Sequence, residues 1–405
     1  MKHFLAGLLA ATVLTATAAS AADFQPAILY DLGGKFDKSF NEGAYNGAEK
    51  FKEETGIEYR EFEIVNDAQR EQALRRFARD GASPIVSVGF SQAAALEAVA
   101  KEYPDTQFAI IDSVVDLPNV RSILFKEEEG SYLVGILAAM KAEDGQVGFV
   151  DGMDIPLISK FSCGYKGGVK SVSENATVYE NMTGSTGAAW NDPVRGGELA
   201  KTQIDKGADV IFHAAGGTGI GVLQAAADAG KYGIGVDSNQ NALFPGHVLT
   251  SMVKRVDTAV YDAFTAAKDG KWESGVVTLG LKEDGVGYTI DESNKDLITD
   301  EMKAAAEKAA AKAEEAPAEE APKEDTPPEM EVFYTFTWGR ARQQKHADSR
   351  PRKQGGAPKG KGKPRGKPQG GGNKAQNFSA RPPKAEKKID PDNPFAAALM
   401  GLAKK

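Results

Sequence analysis

The residues able to do chemistry in this chain collect where short apolar runs end. The run Ala27–Tyr30 ends in Asp31-Leu-Gly-Gly-Lys-Phe-Asp-Lys-Ser-Phe-Asn-Glu. Two glycines let the chain turn sharply there, and Ser39 with Glu42 has the spacing of a capping box that starts a helix. Asp31, Phe40 and Asn41 are thereby set at one edge, with a helix N-terminus behind them. Asp112 follows Phe-Ala-Ile-Ile; His213 and Gly216-Gly217-Thr218-Gly219 follow Val-Ile-Phe; Asp237 follows Gly-Ile-Gly-Val. Trp190-Asn191-Asp192 precedes a helical stretch, and Lys254 follows Leu-Thr-Ser-Met-Val. One aspartate at a strand end is usually a cap or turn former. Three, on strands opening into one cleft, suit a ligand with hydroxyl groups, and the flat faces of Phe40 and Trp190 suit an aromatic base.

Catalytic signatures are missing from the sequence. Its four histidines are scattered, and it holds no His-Glu-x-x-His, no Gly-x-Ser-x-Gly and no Walker A run. His213 beside a glycine turn has the placement of a general base, but a hydrogen-bonded strand-end histidine is the simpler reading. The glycines at 216, 217, 219 and 221 match a phosphate loop in composition only, and the acidic surroundings repel phosphate. The expectation is a binding protein without enzymatic activity, cofactor or metal. The sole cysteine, Cys163, allows no intramolecular disulfide and reads as a small core residue.

Elements that would position these groups follow a strand–helix alternation over residues 25–281. Apolar strands are expected at 27–30, 58–64, 84–88, 108–111, 147–150, 177–179, 210–212 and 232–236. Amphipathic helices are expected at 42–54, 69–79, 92–102, 131–141, 193–206 and 221–229. Strand, helix, strand with short loops is the pattern of parallel sheets covered on both faces. The rhythm breaks near 124 and restarts at 127, which predicts two α/β lobes: 23–125 with 250–285, and 126–249. Ligands in open α/β sheets bind beyond the carboxyl ends of the strands, so the site is expected between the lobes, within a binding domain spanning 23–315.

The two ends of the chain differ from this middle. Residues 1–22 read as a signal peptide: Lys2 and His3, an apolar stretch at 4–18, then Ala19-Ser20-Ala21. The stretch is shorter than the about 18 apolar residues of a spanning helix. With no cysteine at the cleavage site, the expectation is a periplasmic protein, not lipid-anchored. Residues 316–329 form an acidic Pro/Ala linker, and 330–405 a basic low-complexity tail. Residues 340–388 carry 16 Lys or Arg against two Asp or Glu, although the whole chain has a net charge of −8. Too apolar-poor to fold, the tail is expected to be disordered, with nonspecific RNA binding as its possible activity.

Asp-x-Gly-Gly-x-x-Asp-Lys-Ser-Phe-Asn at 31–41, Ile-Gly-Val-Asp-Ser-Asn-Gln at 234–240 and Thr-Ser-Met-Val-Lys-Arg at 250–255 resemble motifs of the basic membrane protein family, nucleoside receptors of ABC importers. The resemblance covers residues 24–310. It implies a type I periplasmic binding protein fold, two Rossmann-like lobes around a ligand cleft, acting as a monomer with an inner-membrane ABC permease as partner. It implies that Phe40 and Trp190 sandwich a purine, that Asp31, Asn41 and Asp112 read the base edge, and that Gly217, Asp237 and Lys254 hold the ribose. A sugar receptor of the same fold is the alternative the residues leave open. Separately, 331–340 and 389–402 resemble the tail of alphaproteobacterial RNA helicases.

Overall fold

The computed structural model describes residues 24–314. The leader, the linker at 316–329 and the basic tail with its RNA-binding expectation lie outside the described residues.

The chain opens with β1 (Ala27–Tyr30), α1 (Phe40–Thr55), β2 (Arg60–Glu63), α2 (Gln69–Arg79), β3 (Ile85–Ser87), α3 (Ala93–Glu102), β4 (Phe108–Ile111) and β5 (Val120–Phe125). A second run follows: α4 (Glu127–Lys141), β6 (Gln146–Asp151), α5 (Pro156–Val172), β7 (Thr177–Met182), α6 (Pro193–Asp205), β8 (Val210–Ala214), α7 (Gly219–Asp228), β9 (Tyr232–Asp237) and β10 (Val248–Lys254). The described chain ends with α8 (Val256–Lys268), β11 (Gly275–Leu279), β12 (Val286–Tyr288) and α9 (Asp300–Glu314).

These strands make two six-stranded sheets, ordered β11-β5-β4-β3-β1-β2 and β12-β10-β9-β8-β6-β7. Every pairing is parallel except β10 with β12. Strands β1, β3 and β4 are wholly buried, and β1 and β4 read as unbroken apolar runs, as parallel strands covered on both faces do. The two lobes repeat one topology, so each sheet has a switch point where the strand order reverses: between β1 and β3 in the first, between β6 and β8 in the second. Crevices at such points take ligands.

The chain crosses between lobes three times, at 125–127, 254–256 and 279–286. Backbone bonds tie the crossings together: Lys126 N–H donates to Leu279 O at 3.0 Å, and Arg255 N–H to Gly285 O at 2.8 Å. Behind them α4 lies against α5 at very short range. A side chain on Gly164 or Gly168 would place its Cβ 2.2 Å from Glu128 O or 2.0 Å from Tyr132 O, so only glycine permits this approach.

Several expectations change here. Residues 250–254 belong to the second lobe, because β10 pairs with β9; the crossing comes after Lys254, not before it. Strand β12 and α9 also return to that lobe. Strands β5, β11 and β12 are interrupted by polar residues or glycine (Arg121-Ser122, Gly275 and Thr278, Gly287) and were not among the expected strands. The Ser39–Glu42 capping box is not made. Asp37 is the cap instead, its carboxylate accepting from the N–H groups of Ser39 at 2.9 Å, Asn41 at 3.1 Å and Glu42 at 3.1 Å. Cys163 is exposed, since α5 turns Phe161, Ser162, Gly164 and Tyr165 inward and leaves position 163 on the opposite face.

Candidate ligand-binding cleft

The cleft lies where the two switch points face each other. Counted out to its mouth and into the solvent beyond, its empty space is about 580 Å³. Seven of the eight expected residues line it: Asp31, Phe40, Asn41, Asp112, Trp190, Asp237 and Lys254. The eighth, Gly217, gives way to its neighbour. Gly216, in the left-handed region at φ 55°, lines the cleft. Gly217 is outside the lining, and a Cβ on either glycine would lie 3.3 Å from the Trp190 carbonyl oxygen.

At the centre sits a buried charge cluster. Lys254, 3% exposed, ends β10, and its ammonium donates to Asp112 Oδ2 at 2.7 Å. It also lies 2.9 Å from Glu127 Oε1 at the first crossing, and Lys160 Nζ donates to Glu127 Oε2 at 3.1 Å. Burial works against the Lys254 cation, but Asp112, Glu127 and Asp237 outweigh it and hold its pKa above the usual lysine range. Burial pushes the carboxyls of Asp112 and Asp237 up to about 6, with Lys254 resisting the shift in both. Both aspartates adopt positive φ, 68° and 62°, which turns each side chain off its strand end. Asp237 Oδ2 accepts from Ser39 Oγ of the other lobe at 2.6 Å.

Asn41 lines the cleft, yet its amide is engaged in bracing the β1–α1 loop. Its Nδ2 donates to the carbonyls of Asp31 and Gly34, both at 3.3 Å, and its Oδ1 accepts from Asp31 N–H at 3.0 Å. The loop that carries Asp31 and Phe40 is therefore held by one amide and by the Asp37 cap.

Aromatic groups form much of the remaining wall. The Lys254 ammonium lies 5.2 Å from the ring centre of Phe40 and 5.7 Å from that of Phe161. Trp190 packs so closely on Gly152 that an added Cβ there would sit 2.0 Å from its ring, and its indole meets Phe90 edge-on at 6.5 Å. Phe90, Leu157, Ile158 and Phe161 were not expected at the site. The signal for the last three was a Pro156 helix start separated from the β6 strand end by four residues, with apolar residues spaced to share one face. His213, by contrast, is buried behind the cleft lining. It shares a 3.0 Å hydrogen bond with Gln240 Oε1, and burial lowers its pKa to about 4. It is the hydrogen-bonded strand-end histidine. Among the described residues no group of three His, Cys, Asp or Glu is arranged to hold a metal.

A family model described as "ABC transporter substrate-binding protein PnrA-like" (Bmp) matches residues 24–320. The chain belongs to the Bmp family. The resemblance read from 31–41, 234–240 and 250–255 is thus borne out, as is the two-lobed fold. This Bmp-family chain is 36% identical over 286 residues to a lipoprotein of Pyrococcus abyssi, covering 68% of this chain and 71% of the relative. It is 32% identical over 308 residues to the "ABC transporter nucleoside-binding protein BmpA" of Lactococcus lactis, covering 70% and 87%. A crystal structure of an ABC transporter solute-binding protein from Aeropyrum pernix K1 matches with TM-score 0.67 and 30% identity, over 72% of this chain and 91% of that one. The chain is a substrate-binding protein of an ABC transporter, which implies a small ligand and a permease partner.

The comparisons correct the expected location. The reading of a receptor without a lipid anchor rested on a missing cysteine near residues 19–21, outside the described residues. The Pyrococcus relative is named a lipoprotein, which points to a lipid-anchored surface location for proteins of this kind.

Proposed function

We propose that the cleft binds a nucleoside, with purines preferred, and presents it to the permease. The observation that carries this reading is the pairing of two chemistries in one cleft. Asp112 from the first lobe pairs with Lys254 from the second, Asp237 lines the same cleft, and Phe40, Phe161, Phe90 and Trp190 supply apolar faces beside them. Carboxylates and an ammonium suit vicinal hydroxyls; the aromatic wall suits a flat base. Stacking a base on an aromatic side chain is worth about 1–3 kcal/mol. Hydrogen bonds to charged groups add about 1.5–3 kcal/mol each, enough together to exceed the cost of association and reach micromolar affinity. The name of the Lactococcus relative supports the same ligand class.

Titration calorimetry of the full chain against inosine, guanosine, adenosine, uridine, free bases, ribose and arabinose tests it. Purine nucleosides binding at micromolar affinity or better, with ribose and bases much weaker, is the expected result. Tight binding of a free pentose with silence toward nucleosides would make the cleft a sugar site and overturn the reading.

A further inference from the structure

Asp31 is gripped from behind, in part by two residues, Arg70 and Ser91, that are not in the cleft lining. Its Oδ1 accepts from Arg70 Nη2 at 2.9 Å and from Leu32 N–H at 2.8 Å, and its Oδ2 accepts from the Ser91 hydroxyl. Arg70, at the start of α2, is 7% exposed, and its Nη1 donates to Asp67. Gly89 closes the grip: at φ 105° it passes so near that an added Cβ would lie 2.6 Å from Asp31 Oδ2. A carboxylate has about four acceptor positions. Protein donors fill three, and the side chain still lines the cleft.

We propose that Arg70 and Ser91 are positioning residues that fix Asp31 as a single-acceptor reader of the ligand, selecting bases that offer an N–H donor at that edge. This rests on the nucleoside reading of the cleft and names what that site selects. A carboxylate held by three donors presents its remaining lone pair in one direction. It rewards a ring N–H, as in a 6-oxopurine, and is left facing a bare nitrogen by a ring that has only acceptors there. Asn41, whose Nδ2 already donates to two backbone carbonyls, has no free donor to serve such a ring instead. A site built to pair a ligand N–H rejects the analogue lacking it, because its own polar group is left unpaired.

The test compares inosine, which carries an N–H, with purine riboside, which has neither that proton nor an exocyclic group. Affinities are measured by calorimetry on the full chain, for wild type, Arg70→Met, Arg70→Lys and Ser91→Ala, with melting temperatures alongside. Wild type is expected to prefer inosine at least tenfold, the scale of one charge-assisted hydrogen bond. Arg70→Met should weaken inosine by about tenfold and purine riboside by less than about twofold, and Arg70→Lys should restore part of the preference. Ser91→Ala, which removes one hydroxyl and no packing of consequence, should narrow the gap even where Arg70→Met fails to fold. Equal loss for both ligands would make the two residues merely structural and overturn the proposal while leaving nucleoside binding intact. Silence of the wild type toward both, with a free sugar bound, overturns the nucleoside reading and the proposal together.

Discussion

Lys254 and Asp112 meet across the boundary between the lobes: the ammonium ends a strand of the second sheet and lies 2.7 Å from a carboxylate at the end of a strand of the first. Both side chains are almost wholly buried, at 2% and 4% exposure. Glu127, fully buried at the first crossing, shares the same cation at 2.9 Å. One lysine therefore neutralises carboxylates from the hinge and from both walls of the cleft. Breaking a buried pair by removing one partner costs about 3–5 kcal/mol, because the other charge is left without compensation.

Lys254→Met should accordingly lower stability by about 3–5 kcal/mol in urea unfolding and abolish ligand binding. Adding Glu127→Gln to that variant should recover part of the stability, since one stranded charge is gone, but none of the binding. Additive losses in the double variant would show that the two residues do not share the charge.

Affinity should depend on pH through the cleft aspartates. The carboxyls of Asp112 and Asp237 stand at about 6 in the folded protein, above their ordinary value of 3.8. As the ligand acceptors proposed above they would work when ionised, so affinity should fall as pH drops through 6. Their effect on the unliganded fold has the opposite sign. The native state binds more protons than the unfolded chain between about 4 and 6, so their stabilising contribution is full below 3.8 and lost as pH rises through 6. Asp237→Asn, which also tolerates the left-handed backbone at φ 62°, should lose at least tenfold in affinity at pH 7, equivalent to about 1.4 kcal/mol, with an unchanged circular dichroism spectrum. Wild-type affinity that is flat from pH 7 to 5 would rule out ionised acceptors.

A third carboxyl tests the same linkage away from the cleft lining. Asp151, 4% exposed at the end of β6, has its pKa raised to about 8, chiefly by burial and then by Glu180. Its proton is bound in the folded state and released in the unfolded chain from about pH 4 to 8, so stability drains away as pH rises through 8. Asp151→Asn replaces the carboxyl with a neutral isostere. It should melt at a higher temperature than wild type at pH 8.5, with the gap shrinking toward pH 5. A constant gap would mean that the carboxyl does not titrate in that window.

Much of the site was legible because parallel α/β topology converts a one-dimensional feature into a three-dimensional one. A polar residue after a short apolar run is a residue at a carboxyl edge, and Asp31, Asp112 and Asp237 were found that way. What stayed hidden depends on contacts distant in sequence. Arg70 and Ser91 reach Asp31 from 39 and 60 residues away, and no local pattern marks either. Asp37 was overlooked as the helix cap because Ser39 offered the commoner spacing, yet the Ser39 hydroxyl is used by Asp237. Lys254 was placed in the wrong lobe because the antiparallel partner of its strand, Val286–Tyr288, is three residues long and too short to show alternation. Phe161 was hidden by its own periodicity, which fits a core face as well as a cleft wall.

Gly152 offers a test of the aromatic wall that leaves every hydrogen-bonding group in place. It follows β6 at the second switch point, and its hydrogen faces the Trp190 indole; a Cβ would lie 2.0 Å from Cζ3 and 2.5 Å from Cη2. The contact is with a rigid ring whose carbonyl is itself packed against Gly216 and Gly217, so the indole must swing away as a body. Gly152→Ala should therefore shift Trp190 fluorescence, read in a Trp272→Phe, Trp338→Phe background that leaves it as the sole reporter. Losing one stacking face should weaken a purine nucleoside by about 1–3 kcal/mol and free ribose hardly at all. Equal weakening of both ligands would place Trp190 in lobe closure instead of base contact.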